Sequence, residues 1–244
     1  VFSEVGRGAV LDAGGIGVTV EMMGRYAGEA ALQRAGCELL HDIAAGEAAS
    51  KQAVVSAAAA LVGPMTSHGQ DIGLLHVCCE AIELAGAGRG SLTQSERNCK
   101  LGLVSTGAAS AIVAAMAAHS DNAPLQRTAA AAICNLAAEI SCRETVAAAG
   151  AAPVLAAAMV RGLGDSALQR ECCEALRHTS TVRALDAAEV QALVATMRAH
   201  SKDESVMADG CKTIANAAAI EPVLTRRAVL AAGGLQVVVE REGR

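Results

Sequence analysis

The sequence predicts an all-α solenoid built from three-helix repeats, about five of them and a partial sixth. Three observations carry this. Of 244 residues, 56 are Ala and only 1% are aromatic, with no Trp, one Tyr and one Phe. A large β-sandwich or α/β core is normally filled with aromatic and β-branched residues, whereas this stock suits helices packed closely through small side chains. Four prolines leave helices uninterrupted, and 24 glycines supply punctuation. Most tellingly, the chain repeats. Leu32-Gln33-Arg34, Leu125-Gln126-Arg127 and Leu168-Gln169-Arg170 begin alike, and weaker copies start at Leu74 and Val206. These five anchors are 42, 51, 43 and 38 residues apart, and a methionine nine residues before each (Met23, Met65, Met116, Met159, Met197) repeats the same four intervals.

The modules in chain order are about 1–45, 46–86, 87–138, 139–180 and 181–219, then a partial sixth at 220–244. In the clearest copy, Cys142 to Ala149 reads as a short first helix broken by Gly150. Ala151 to Arg161 is the second helix, Gly162 to Asp165 a turn, and Ser166 the expected N-cap of a long third helix. Leu168, Cys172, Ala175, Leu176 and Thr179 share one face of that helix at helical spacing. The long 51-residue interval is assigned to an inserted loop, the Gly-rich stretch from Gly86 to Ser95. Leu101 to Ala118 is uncharged for 18 residues, but its small residues are weakly apolar and Gly107 divides it, so two short helices are expected rather than a membrane span. The apolar run Leu235 to Val239 is expected to keep one uncovered face, since the sixth module stops before its third helix. With that, a start lacking Met reads as a fragment of a longer protein.

The unit length, the Gly between first and second helices (Gly14, Gly107, Gly150, Gly233), the stretch Val146 to Leu155 and the run Leu125-Gln126 through Ile133-Cys134-Asn135-Leu136-Ala137 resemble the armadillo repeat family over nearly the whole chain. The resemblance implies a right-handed α-solenoid whose third helices line a concave groove, and a non-catalytic scaffold binding a protein or peptide segment there. Met-x-x-His at Met65, Met116 and Met197 also resembles the armadillo segments of leucine-rich-repeat kinases. That likeness implies the alternative of a regulatory segment in a larger enzyme.

In armadillo grooves a Trp and, four residues on, an Asn hold an extended peptide. Here the Asn slots read Asp42, Leu84, Asn135, His178 and Asn216, and the Trp slots read Glu38, Glu80, Ala131, Glu174 and Lys212. One turn earlier stand Arg34, His76, Arg127, Arg170 and Ala208. The empty Trp slots argue against importin-like carriage of basic signal peptides, which stays a distant alternative. Two readings of the rows stay open: partner binding, or i,i+4 pairs such as Arg34–Glu38 and Arg170–Glu174 solvating exposed helices.

Nothing outside the repeat suggests catalysis. Cys37, Cys79, Cys173 and Cys211 all lie five residues after their anchors, which predicts one recurring buried slot for a small hydrophobe rather than a metal or redox site. His68, His119 and His200 recur where second helices end and are expected to bond free carbonyls there. Gly86-x-Gly88-x-Gly90 lacks the Lys and preceding strand of a phosphate loop. With a net charge of −5 there is no basic footprint for nucleic acid. Nine cysteines, an odd number without a secretory signal, suit reduced thiols in the cytoplasm or nucleus. No cofactor, metal, membrane or small-molecule substrate is expected.

Overall fold

The computed structural model describes residues 3–88 and 90–234, and the regular structure among them is entirely helical. Fifteen α-helices follow one another: α1 (Glu4–Asp12), α2 (Gly15–Arg25) and α3 (Ala30–Ala44); α4 (Ala48–Ser56), α5 (Ala59–Ser67) and α6 (Ile72–Ala85); α7 (Gln94–Ser105), α8 (Ala108–Ala118) and α9 (Ala123–Ala137); α10 (Arg143–Ala148), α11 (Ala151–Arg161) and α12 (Ser166–Thr179); then α13 (Ala187–Ala199), α14 (Glu204–Ile220) and α15 (Pro222–Ala231). The long third helices α3, α6, α9, α12 and α14 stack in that order as one layer, each against the next. The run Leu235 to Val239 lies outside the described residues.

Gly14, Gly107, Gly150 and Gly233 all adopt positive φ, between 71° and 87°, which a side chain resists and glycine does not. At Gly14, Gly107 and Gly150 this lets a first helix turn sharply onto a second. The uncharged stretch divides there as expected: α7 and α8 meet at 62°, and among the described residues no single helix is long and apolar enough to cross a membrane.

The methionine landmark has a packing cause. A Cβ on Gly36 would lie 2.3 Å from Met23 Sδ, and one on Gly210 would lie 2.6 Å from Met197 Sδ. The slot four residues after each anchor therefore holds only Gly36, Cys78, Ala129, Cys172 and Gly210, all buried. The interval from methionine to anchor has a polar cause as well. Gln33 Nε2 donates to Met23 O (2.8 Å) and Tyr26 O (3.0 Å), Gln126 Nε2 to Met116 O (2.9 Å) and His119 O (3.0 Å), and Gln169 Nε2 to Met159 O (2.9 Å) and Gly162 O (2.8 Å). One carboxamide thus closes the carbonyl end of the second helix and fixes where the third begins.

Four expectations need correction. The fifth copy has two helices, not three. Its 38-residue interval reflects a first helix replaced by a turn, which Arg183 pins through Nη1 to both oxygens of the buried Glu189 at 3.0 Å. The N-cap of α12 is Asp165 rather than Ser166, its carboxylate accepting from Ala167 N and Leu168 N at 3.1 Å. The inserted loop ends earlier than Ser95, because Thr93 and Glu96 form a capping box that starts α7 at Gln94. Finally, Cys37, Cys79 and Cys173 are buried with Ala130 in the recurring slot, but Cys211 is exposed. That slot faces the following third helix, and among the described residues none follows α14.

The inserted loop hides a residue that sequence reasoning passed over. Lys100 is fully buried, and its Nζ donates to Gly86 O (2.5 Å), Gly88 O (2.8 Å) and Asn135 O (2.6 Å). A buried ammonium is tolerated when carbonyls replace its water shell. Here it ties the loop to the end of α9.

Replacing Lys100 with Met keeps the volume and strands these carbonyls. Urea unfolding is expected to show a loss of about 3 kcal/mol or more, and a loss under about 1 kcal/mol would remove Lys100 from this role. Burial raises the thiols of Cys79 and Cys173 to about 12 and Cys142 to about 11, so under native conditions a thiol reagent is expected to titrate one of the nine cysteines rapidly, Cys211. Fast labelling that survives Cys211→Ser would contradict the burial.

Candidate functional site: the third-helix face

The proposed partner-binding row begins with arginines, and these reach the neighbouring repeat rather than their own helix. Arg34 Nη2 donates to Asp71 Oδ2 at 2.7 Å, Arg127 Nη2 to Asp165 Oδ2 at 2.8 Å, and Arg170 Nε to Asp203 Oδ2 at 2.7 Å. This replaces the expected Arg34–Glu38 and Arg170–Glu174 pairs. Each aspartate is the N-cap of the next third helix and accepts from the anchor's own backbone N–H: Leu74, Leu168 and Val206. Two carboxylate functions therefore meet in one residue, a helix cap and a tie to the repeat before it.

All three carboxyls sit below the ordinary range. At Asp71 the Arg34 hydrogen bond is the main cause, helped by Leu74 N–H. At Asp165 burial opposes the charge, but Leu168 N–H and the Arg127 guanidinium outweigh it. At Asp203 burial is likewise overcome, by Arg170 and then Val206 N–H. The junction between the second and third copies varies both partners together. The cap there is Asn122, which carries no charge, and the facing slot holds His76, whose Nε2 pairs with Thr128 Oγ1 at 3.2 Å.

The Asn slots are tied in the opposite direction. Asn135 Nδ2 donates to Glu83 O (3.1 Å) and Asn216 Nδ2 to Arg177 O (3.1 Å), each a carbonyl near the end of the preceding third helix. His178 occupies the same slot between helices, with Arg143 Nη2 3.1 Å from Nδ1 and Arg177 Nη2 3.1 Å from Nε2. Burial holds its pKa below the ordinary histidine value, with the two arginines adding to the effect.

The recurring histidines bond free carbonyls as expected, but not those of their own helix. His68 Nε2 donates to Ala27 O (2.8 Å), His119 Nε2 to Gly69 O (2.7 Å) and His200 Nε2 to Leu163 O (2.6 Å). Each acceptor is the residue five before the anchor of the preceding copy. The neutral or protonated imidazole can make this bond through Nε2–H.

The former Trp slots carry the rest of the surface. Glu38 and Lys212 are exposed, Ala131 is buried, and Glu80 and Glu174 lie between. Glu80 Oε2 sits 3.5 Å from His76 Nδ1 and 3.9 Å from His41 Nε2, and His41 Nδ1 is 3.4 Å from Asp42. Glu174 is 3.4 Å from Arg177, which also pairs with Asp209 at 2.7 Å. Leu84 is half-buried and Ala208 exposed. Among the described residues, Cys134, Glu171 and Glu174 are the one grouping whose ligand atoms lie within 4.8 Å of one another. Arg177 supplies positive charge beside it, 3.4 Å from Glu174.

No family model matches the sequence, and no curated protein does. Solved structures do. An engineered protein determined by the Northeast Structural Genomics Consortium is 24% identical with a TM-score of 0.73, over 97% of this chain and 56% of that one, so this chain spans just over half its length. A designed armadillo repeat protein is 18% identical with a TM-score of 0.65 over 88% of this chain and 87% of its own. Another, determined in complex with the peptide (KR)4, is 17% identical with a TM-score of 0.63 over 91% and 89%. The fold of this chain is an armadillo-type α-solenoid.

Proposed function

We propose that the chain is a non-catalytic interaction scaffold that receives an extended protein segment along its third-helix face, and that the segment carries basic side chains. The excess of acidic over basic side chains on that face supports this reading. Arg34, Arg127 and Arg170 are each set against an N-cap aspartate. Apart from these pairs, the third helices carry more acidic side chains (Glu38, Asp42, Glu80, Glu171, Glu174 and Asp209) than basic ones (Arg177 and Lys212). A face of one sign steers and holds a segment of the other. The designed armadillo protein solved with (KR)4 is an armadillo-type fold holding a basic peptide. In this chain Glu38, Glu80, Ala131, Glu174 and Lys212 stand in the slots where importin-type grooves use Trp, so recognition would rest on charge and hydrogen bonds rather than on stacking.

Fluorescent peptides of equal length, one basic, one acidic and one neutral, test this by titration at two salt concentrations. The basic peptide is expected to bind best and to weaken with salt. Reversing Glu38, Glu80 and Glu174 to Lys is expected to cost about tenfold or more in affinity. Equal binding of all three peptides, or a reversal without effect, would overturn the reading. Those three glutamates are the right targets because substituting Arg127, Asn135 or His178 would also cut ties between repeats.

A further inference from the structure

The second helices of the first two copies are separated by a cleft of about 420 Å³, lined by Val20, Met23, Ala60, Gly63 and Pro64, with Gln33 as its buried polar group. Ser67 stands in the same wall, but its hydroxyl is turned back onto Gly63 O. Gly24 and Gly63 face the space directly: a Cβ at either would meet nothing within 4 Å. Glycine is a poor residue for a helix interior, so two of them opposite one another keep the walls apart. Pro64 lacks the N–H that would bond Ala60 O, and the contact given to that carbonyl is the Cys37 thiol at 3.9 Å.

Gln33 is 3% exposed. Both N–H groups of its carboxamide are committed to Met23 O and Tyr26 O. Only an NH2 can donate twice, so the atom left over is Oε1, and no described residue donates to it. The fourth copy shows what that oxygen accepts when it is satisfied. Gln169 makes the same two bonds, and its Oε1 receives the hydroxyl of Thr196 at 2.7 Å. Thr196 stands one residue before Met197. The matching residue before Met65 is Pro64, which has no hydroxyl. The repeat register thus leaves a carboxamide oxygen without the donor it has in the fourth copy, on a residue that lines an apolar cleft. An acceptor on the wall of an apolar cleft orients a ligand that carries a single donor, and a cleft of this size and character suits a small molecule.

We propose that this cleft binds a small, mostly apolar molecule of the phenol class, whose hydroxyl donates to Gln33 Oε1 while its ring lies between Gly24 and Gly63. The site is separate from the third-helix face. The cleft at Gln126 differs in character, since the Arg161–Asp121 ion pair (3.4 Å) lines it.

p-Cresol and toluene, which differ by one hydroxyl, distinguish this site by NMR titration of the Met23 methyl group. p-Cresol is expected to bind saturably, about fivefold or more tighter than toluene. Gly63→Leu, which fills the cleft in a helix that accepts Leu readily, is expected to abolish both, and Gly24→Leu to do the same if Gly63→Leu unfolds. Pro64→Thr restores the donor that Thr196 provides and is expected to remove the preference for p-cresol while toluene still binds. Equal affinity for the two molecules, no saturable shift of Met23, or binding that survives the Leu substitutions would overturn the proposal.

Discussion

The stack depends on one constraint: no copy of this repeat can bury its own third helix, and each must borrow a surface from the next. An Ala-rich helix makes that borrowing close, because small side chains let backbones approach. Closeness then obliges every carbonyl and cap at the junction to find a partner. The chain meets that obligation with a short set of polar residues placed at fixed distances from the anchor. Gln one residue after it closes the second helix behind. Arg two residues after it reaches the next cap, and Asn ten after it reaches back to the previous helix. His six residues before it bonds the preceding turn. Seen from outside, this looks like a striped surface; most of it is the mortar of the solenoid.

That explains why the repeat was legible and the roles of its residues were not. In the first, third and fourth copies a carboxamide spans from methionine to anchor, and the second and fifth copies keep the same interval with Leu75 and Met207 in its place, so the two markers return the same spacings. The partner of Arg34 could not be read in the same way. Its own helix offers Glu38 at i+4, while the neighbouring repeat offers Asp71, 37 residues on, and periodicity places an acid at both. Geometry decides, and it favours Asp71 because Leu74 N–H already orients that carboxylate. Cys211 misled for the converse reason: the recurring slot is buried where a following third helix packs over it, and none follows α14 among the described residues.

Two departures left weaker traces. The lost first helix of the fifth copy showed only as a shorter interval, since Asp186 and Glu189 form a capping box that announces a helix start, as Thr93 and Glu96 do for α7. Lys100 looks in sequence like an ordinary surface lysine. Its burial follows from the glycines of the loop before it, whose bare backbone brings carbonyls close enough to replace water. The absence of Trp, first an argument about the core, becomes an argument about the groove once the Trp slots are seen to hold Glu38, Glu80 and Glu174.

The claim that polar residues in register hold the repeats together is tested most directly at the junction of the second and third copies, where His76, His119 and Asn135 cross. The measurement is urea unfolding of the variant carrying Ala at all three, followed by helix content. The account predicts a loss of about 2–4 kcal/mol and a shallower or divided transition, as neighbouring repeats uncouple. A single transition of unchanged slope within about 0.5 kcal/mol of the parent would contradict it.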